Sequence, residues 1–396
     1  MADAEASLAV RVAVDLVARE GAQPVQRVWL AGGPDGSPVD GSCAARQAEV
    51  LYRAFARGLS EAGRETRDLL GETIFLRDVR DLAPVLEARA SILGTGAPAP
   101  SVVGQPPLDG SALQVAAFAI GPSDRLDAGA IDLTARRDCP CAACGLSGAR
   151  LLRVGGRVVL RTSSLHGLGA SLFEQVIGAF RTGARLLADA GLGFRDVVRT
   201  WVHLRDIDRD YAELNAARRA FFAECGLERP PASTGVQGLP AGAGHDVSIV
   251  LEATTGAVAA GTMTTPLLNE APSYGADFAR GLRVPDEAGT TLLVSGTASI
   301  DEAGRSLHPG DLAAQAGRML DNVESLLAGQ GAGLGDLVSA VVYAKRAGDG
   351  AALRDACRAR GFAGFPCTFV VAPLCRPELL CEAEAVARLS LPAIEA

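Results

Sequence analysis

Two carboxylates, Glu382 and Glu384, lie two residues apart in the apolar run LLCEAEAVA near the end of the 396-residue sequence. Side chains alternate along a strand, so Leu380, Glu382 and Glu384 face the same way. Two acids crowded on a half-apolar surface do not both ionise at ordinary cost, and one keeps its proton near neutral pH. A carboxyl held protonated is a general acid that can donate near neutral pH. The structural alternative is ordinary: one glutamate meets solvent and the other caps or pairs. Arg161, Arg199, Arg218 and Arg376 lie beside strand and helix signals rather than in charge runs, and a dicarboxylate needs two such forks. Taken singly, each is equally a surface ion-pair partner. Gly296, between Ser295 and Thr297, marks either a strand backbone that must come close to a ligand or a bulge. Tyr211, Asn215 and Arg218 fall at i, i+4 and i+7 on one helical face, which reads as a cleft wall or as cap and core.

Cys139, Cys141 and Cys144 in DCPCAACG form a Cys-x-Cys-x-x-Cys cluster that could hold zinc if a fourth ligand approached. The nearest histidine in sequence, His166, falls in an expected strand, so the reading adopted is a turn-rich hairpin with free thiols, dispensable for catalysis. The nine cysteines are odd in number and spread along a long chain, which implies reduced thiols. His166, His203, His245 and His308 show no ligand spacing, and His308 in HPGD reads as the start of a helix turn. No Walker loop, dinucleotide fingerprint or Ser-His-Asp arrangement is legible, so no catalytic cofactor is expected. A formal charge of −8 without any basic run opposes nucleic-acid binding. No apolar run is long enough to span a bilayer, and the acidic start MADAEASLAV is unlike a signal peptide, so a cytoplasmic protein without a membrane partner is expected.

These residues must be positioned by elements that recur. Three segments share one order: an amphipathic helix ending at glycine, a β-rich run, a second helix, a proline-marked loop and a final strand. The first runs from AARQAEVLYRAFARGLSEAG through LLGETIFLRD, VLEARASIL and APAPSVV to SALQVAAFAI. The second runs from LFEQVIGAFRTGARLLADAG through VVRTWVHLRD, YAELNAARRAFFAECG and RPPASTG to VSIVLEATTG. The third runs from LAAQAGRMLDNVESLLAGQG through LVSAVVYAKR, ALRDACRARG and FPCTFVV to LLCEAEAVAR. Such a unit covers one face of a sheet with helices and leaves the other needing partners. Boundaries are expected in the Gly/Pro/Asp-rich stretch from Gly121 to Cys144 and in TTPLLNEAPSYGADF, giving repeats over 1–123, 124–262 (opening with the Cys-rich hairpin) and 263–396. The stretch AGGPDGSPVDG reads as a hairpin turn inside the first repeat.

The third repeat, through LLVSGTASIDEAGRSLHPGDLAAQ and DNVESLLAGQGAGLGDLVSAVVY, resembles the RidA/YjgF family, and the second does so through RTWVHLRDIDRDYAELNAARRAFF and PPASTG. The first is a fainter copy. The resemblance implies an α+β, chorismate-mutase-like fold in which three tandem repeats form an intramolecular pseudo-trimer with ligand clefts between neighbours. A monomer follows as the expected state, with a dimer through the first repeat as the alternative. RidA-like imine deaminases hold the substrate carboxylate with an arginine at the positions matching Ser101, Ser233 and Thr368. None of the three is arginine, and a hydroxyl does not replace a guanidinium fork, so imine deamination is disfavoured. The family's acidic residue in the last strand is matched to Val115, Glu252 and Glu382.

CRPELLCEAEAV, with VSGTASI, HPGD and RTW, is similar to the chorismatases, two-repeat relatives that hydrolyse chorismate to pyruvate and a ring carboxylic acid. That resemblance implies Glu382 as proton donor to the enol ether and places Arg199, Thr200, Trp201, Cys375, Arg376, Gly296 and Thr297 at the substrate. Tyr211, Arg218 and Arg161 are added as cleft candidates. The match departs in the second repeat, where Val202 and His203 replace Asn-Tyr and YAELNAARRAFF replaces an Arg-Tyr-Arg-x-Phe-Cys segment. Chorismatases that form 3-hydroxybenzoate resemble this chain at Gly296 and Cys375, whereas dihydrodiol-forming members carry alanine at both. Three functions stay open: a chorismatase-like hydrolase of secondary aromatic-acid metabolism acting on chorismate or a related cyclohexadiene carboxylate, another RidA-fold enzyme of secondary metabolism acting on a small carboxylate, and a non-catalytic ligand-binding or scaffold protein.

Overall fold

The computed structural model describes residues 8–19, 22–34, 43–122, 130–135, 139, 141, 143–154, 156–286 and 289–390. The first repeat contains β1 (Leu8–Arg19), β2 (Ala22–Pro34), α1 (Ala44–Glu61), β3 (Leu69–Leu76), α2 (Leu82–Leu93), β4 (Ser101–Gly104) and β5 (Leu113–Pro122). The second contains β6 (Ile131–Thr134), β7 (Gly148–Val154), β8 (Arg157–Thr162), α3 (Leu172–Asp189), β9 (Val197–Leu204), α4 (Ile207–Glu224), β10 (Ala232–Gln237), β11 (Leu239–Pro240) and β12 (Val247–Thr254). The third contains β13 (Gly261–Thr262), β14 (Gly281–Asp286), β15 (Gly289–Ala298), α5 (Leu312–Ala328), β16 (Leu337–Ala344), α6 (Gly350–Ala359), β17 (Cys367–Val371) and β18 (Cys381–Ser390).

Local chemistry sets these limits. Ser171 and Glu174 form a reciprocal capping box that opens α3, and the Asp311 carboxylate accepts from the Ala314 amide to open α5. Just beyond the long helices, Gly63, Gly191 and Gly331 take φ of 69°, 76° and 78°, the left-handed turn that side chains resist. A short 3-10 turn then delivers the chain into β3, β9 and β16. Those strands pair in parallel with β4, β10 and β17 through the second helix of each repeat, the crossover that parallel pairing requires.

Three six-stranded sheets result, in the orders β1-β2-β5-β3-β4-β11, β10-β9-β12-β8-β7-β6 and β13-β14-β15-β18-β16-β17. Helices cover one face of each. In the second repeat Phe180, Phe194, Phe221 and Phe222 interlock with ring centroids 4.9 to 5.8 Å apart. Each such ring contributes about 1.5–3 kcal/mol by leaving water. The opposite faces turn inward. Thr73 and Phe75, Ala116 and Phe118, Arg199 and Trp201, and Val341 and Tyr343 line one central cavity of about 150 Å³ to which all three repeats contribute. This inward packing is why every residue of β3 is buried, where a solvated face would give alternation.

The sheets meet edge to edge. β11 of the second repeat pairs with β4 of the first, Ala232 bridges Ala279, and Pro107 bridges Val370. Where β4 and β10 end, the Gln105 side chain donates to the Gln237 carbonyl (2.7 Å) and the Gln237 amide to Pro373 (3.0 Å). The first two sheets, the second and third, and the third and first are thus joined within one chain, as expected for a covalent pseudo-trimer. Of the proposed turn AGGPDGSPVDG, Ala31–Pro34 close β2, and the remainder lies outside the described residues. Within the linker stretch from Gly121 to Cys144, β6 pairs with β7 and belongs to the second sheet. Among the described residues no helix is long and apolar enough to cross a membrane.

Candidate active site

The ladder registers decide which residues are equivalent. Glu382 stands opposite Tyr343, the seventh residue of β16. The seventh residues of β9 and β3 are His203 and Phe75, which face Ser248 and Gln114. The counterparts of Glu382 are therefore Ser248 and Gln114, which corrects the assignment to Glu252 and Val115. Glu252 lies four residues beyond Ser248 on the same face, and the likeness of the two acids concealed the offset. The same registers make Thr234, rather than Ser233, the counterpart of Thr368 and Ser101, because these face Trp201, Val341 and Thr73. Only one of the three equivalent positions carries an acid.

Glu382 points into a cleft between the second and third repeats. The ladder between β15 and β18 skips Ser295 and Gly296, a bulge that lifts this backbone away from β18. The bulge is tied across the seam: the Ser233 amide donates to Ser295 Oγ (2.9 Å) and the Gly296 amide to Thr234 Oγ1 (3.1 Å). A Cβ at Gly296 would collide with Glu382 Oε1, so glycine here makes room for the carboxyl. The cleft, about 40 Å³, is bounded by Arg218, Ser233, Gly235, Gly296, Arg376 and Glu382, with Phe278, Arg280, Cys375 and Leu379 completing it. Glu382 is 5% exposed, and its carboxyl makes no hydrogen bond or ion pair among the described residues. Burial first, and the Glu384 charge second, push its pKa up to about 8. The carboxyl is thus predominantly protonated at neutral pH.

Positive charge surrounds the acid without quenching it. Arg376 Nη1 donates to the Gly304 carbonyl (2.6 Å) and Ser306 Oγ (3.3 Å), and Arg280 Nε donates to the Asn269 carbonyl (2.8 Å). Arg218, on α4, is buried at the same cleft. Burial and the neighbouring Glu382 push the Cys375 thiol up to about 12, while Tyr211 hydrogen-bonds it. Cys375 is therefore a neutral wall rather than a nucleophile. Asn215 Nδ2 donates to the Tyr211 carbonyl (3.0 Å), so the helical triad divides: Arg218 lines the cleft, Tyr211 backs it and Asn215 braces the helix. Thr297 is buried beside the bulge and donates to the Ser295 carbonyl (2.8 Å).

The structure separates Arg199 and Arg161 from this group. Both line the central cavity. Arg199 Nη2 donates to Glu384 Oε2 (3.0 Å) and Thr234 Oγ1 (2.7 Å), and Trp201 Nε1 donates to Glu384 Oε1 (2.7 Å). Arg161 pairs with Glu252 (3.2 Å) and stacks 4.3 Å over the Trp201 ring. Asp286 is likewise held by Arg27 and Arg388. The cavity is larger than the cleft, but its carboxylates are locked in ion pairs and none is kept as a proton donor. Thr200 donates to Ser233 Oγ (2.7 Å), its Cα paired with Ser233 in the β9–β10 ladder. The cysteine cluster lies in neither place: Cys139, Cys141 and Cys144 gather around His245, which sequence spacing did not single out.

The Endoribonuclease L-PSP family model matches residues 269–389. A 3-hydroxybenzoate synthase of Streptomyces hygroscopicus is 30% identical over 239 residues, covering 54% of this chain and 69% of that protein. The chain belongs to the chorismatase family. A chorismatase crystal structure shares the fold over 96% of this chain and 100% of that one, with a TM-score of 0.61 at 18% identity. In this chorismatase-family chain the sequence reading found Glu382, Gly296, Cys375, Arg376 and Arg218 at the cleft. It missed Arg280 and Phe278, which precede β14 in a segment without periodicity. An arginine two residues after an aromatic, Phe278 and Arg280, was the available signal.

Proposed function

We propose that the chain cleaves chorismate, or a closely related cyclohexadiene enol ether, to pyruvate and a 3-hydroxybenzoate-type acid. The protonated, unpaired Glu382 carboxyl in a cleft walled by arginines carries this reading. Glu382 delivers its proton to the terminal methylene of the enolpyruvyl group, leaving an oxocarbenium ion at the ether carbon. Arg376, Arg280 and Arg218 hold the two substrate carboxylates, and their positive charge also favours return of Glu382 to the carboxylate as the proton leaves. The neighbouring ring hydroxyl captures the cation and loses its proton to give a cyclic ketal, and one ring carbon–oxygen bond breaks so that pyruvate leaves with that oxygen as its ketone. Loss of a ring proton then yields the aromatic acid, one of the two protons restoring the Glu382 carboxyl. The atoms of chorismate equal those of a hydroxybenzoate plus pyruvate, so that route consumes no water, whereas capture by water gives the dihydrodiol. Gly296 and neutral Cys375 shape the wall that favours ring capture.

Purified protein incubated with chorismate, with pyruvate read by a coupled dehydrogenase assay and the acid by chromatography, tests the proposal. Stoichiometric pyruvate and 3-hydroxybenzoate are expected. Folded protein that releases no pyruvate above the buffer blank removes the reading.

A further inference from the structure

The β6–β7 connection brings Cys139, Cys141 and Cys144 to His245 in the loop between β11 and β12, and the four ligand atoms lie within 4.8 Å of one another. Cys141 Sγ and Cys144 Sγ stand 3.8 and 3.2 Å from His245 Nε2. Tetrahedral zinc, with Zn–S near 2.3 Å and Zn–N near 2.0 Å, sets a sulfur-to-nitrogen edge of about 3.5 Å. The two distances straddle that value. Backbone amides are already aimed at two of the sulfurs, Cys141 N–H to Cys139 Sγ (3.5 Å) and Cys144 N–H to Cys141 Sγ (3.4 Å).

The histidine is held in the matching state. Its Nδ1 lies 3.2 Å from the Gly167 carbonyl, an acceptor only, so Nδ1 carries the hydrogen and Nε2 presents a lone pair to the sulfurs. Arg205 clamps the His245 carbonyl through Nη2 at 2.6 Å. Gly242 packs so closely that a Cβ there would meet His245 Cδ2 at 2.7 Å and Cys141 Sγ at 3.2 Å. We propose that these four residues form a structural zinc site that fastens the β6–β7 loop to the β11–β12 loop. All four positions are filled by protein, as in structural rather than catalytic sites.

The placement gives the site a task. Leu146, just after Cys144, and Ala241, just before Gly242, both pack against the hydrophobic core of the first repeat. β11 continues the first repeat's sheet through β4. The metal therefore draws two loops of the second repeat onto the seam with the first, on the side where Ser248 stands in place of Glu382. It closes a non-catalytic seam and does not touch the cleft between the second and third repeats.

The test uses full-length protein expressed in zinc-supplemented medium under reducing conditions. Mass spectrometry of metals should give about one zinc per chain, released when a mercurial titrates the thiols. Cobalt exchanged into the site should show thiolate-to-cobalt charge transfer and tetrahedral d–d bands. Replacing Cys139, Cys141 and Cys144 by serine should abolish both signals and lower Tm, with KM of the folded fraction unchanged. If that variant does not fold, metal content and the cobalt spectrum of the wild type still decide. Wild-type protein with no stoichiometric zinc after incubation, or with octahedral cobalt lacking charge transfer, overturns the site. Stoichiometric iron in place of zinc overturns its identity.

Discussion

Replacing Glu382 by glutamine keeps shape and polarity but removes the transferable proton. With a pKa of about 8, roughly ten carboxyls are protonated for each ionised one at pH 7. An ordinary glutamate at 4.5 would be protonated in about one molecule in 300. Nearly the whole acid-catalytic factor is thus expressed at neutral pH, and Glu382→Gln should lower kcat by ~10²–10⁴-fold, about 3–5 kcal/mol of barrier. Wild-type kcat for pyruvate release should fall about tenfold per pH unit above pH ~8, and the residual rate of the variant should lack that limb. Stability moves the other way. Because the folded pKa is raised, stability is full below the unfolded value and is lost as pH rises from about 4.5 to about 8, by about 5 kcal/mol at most. The glutamine variant should therefore exceed wild type in Tm by a margin that grows across this window, which also shows that it folds. Ser248→Ala, at the equivalent position, is the control and should turn over near wild type. Equal kcat in Glu382→Gln and wild type, or an unchanged alkaline limb in the variant, refutes the acid role.

Glu384→Gln removes the negative neighbour that helps to hold the proton on Glu382, so the alkaline limb of kcat should shift to lower pH; an upward shift would contradict the electrostatics. Arg199→Met leaves Glu384 buried without its guanidinium, and should cost about 3–5 kcal/mol in denaturant unfolding with little change in KM; a large KM effect in stable protein would restore Arg199 to the substrate. Gly296→Ala places a methyl against Glu382 Oε1 and should displace the carboxyl, cutting turnover or diverting product toward the dihydrodiol, as chromatography would show. Light scattering should return the monomer mass of 40.6 kDa, since the three sheets already cover one another's inner faces; a trimer mass would contradict that argument.

The repeats were legible because helix and strand periods, glycine stops and proline loops recur in the same order three times. The acid was legible because a carboxylate pair in LLCEAEAVA contradicts its surroundings. What failed was assignment across repeats and across faces. Glu252 was matched to Glu382 by residue type, whereas register is fixed by backbone ladders, and these place Ser248 there. Arg199 and Arg376 both neighbour strand signals, and a local motif does not say that one strand face turns to a cavity and the other group to a cleft. His245 was invisible for a simpler reason: it follows Cys144 by a hundred residues, and only the pairing of β11 with β4 and the closure of two loops bring them together.

Holding a buried carboxyl protonated is costly to a fold, and the pseudo-trimer incurs that cost once. A homotrimer repeats every residue three times, so an acid placed for one cleft burdens all three. Here the three equivalent positions have diverged. Glu382 stays unpaired beside the bulge at Gly296. Gln114 is engaged, accepting from the Phe369 amide across the seam (3.2 Å) and donating to the Asp109 carboxylate of its own repeat, so its side chain helps to tie the seam instead of presenting a proton. Ser248 is fully buried next to the seam that the cysteine–histidine loops draw together. Two seams are thereby free to stabilise the molecule, and their stability offsets the buried acid at the third. Joining the repeats in one chain thus permits the asymmetry that the proposed proton donation from a single cleft requires.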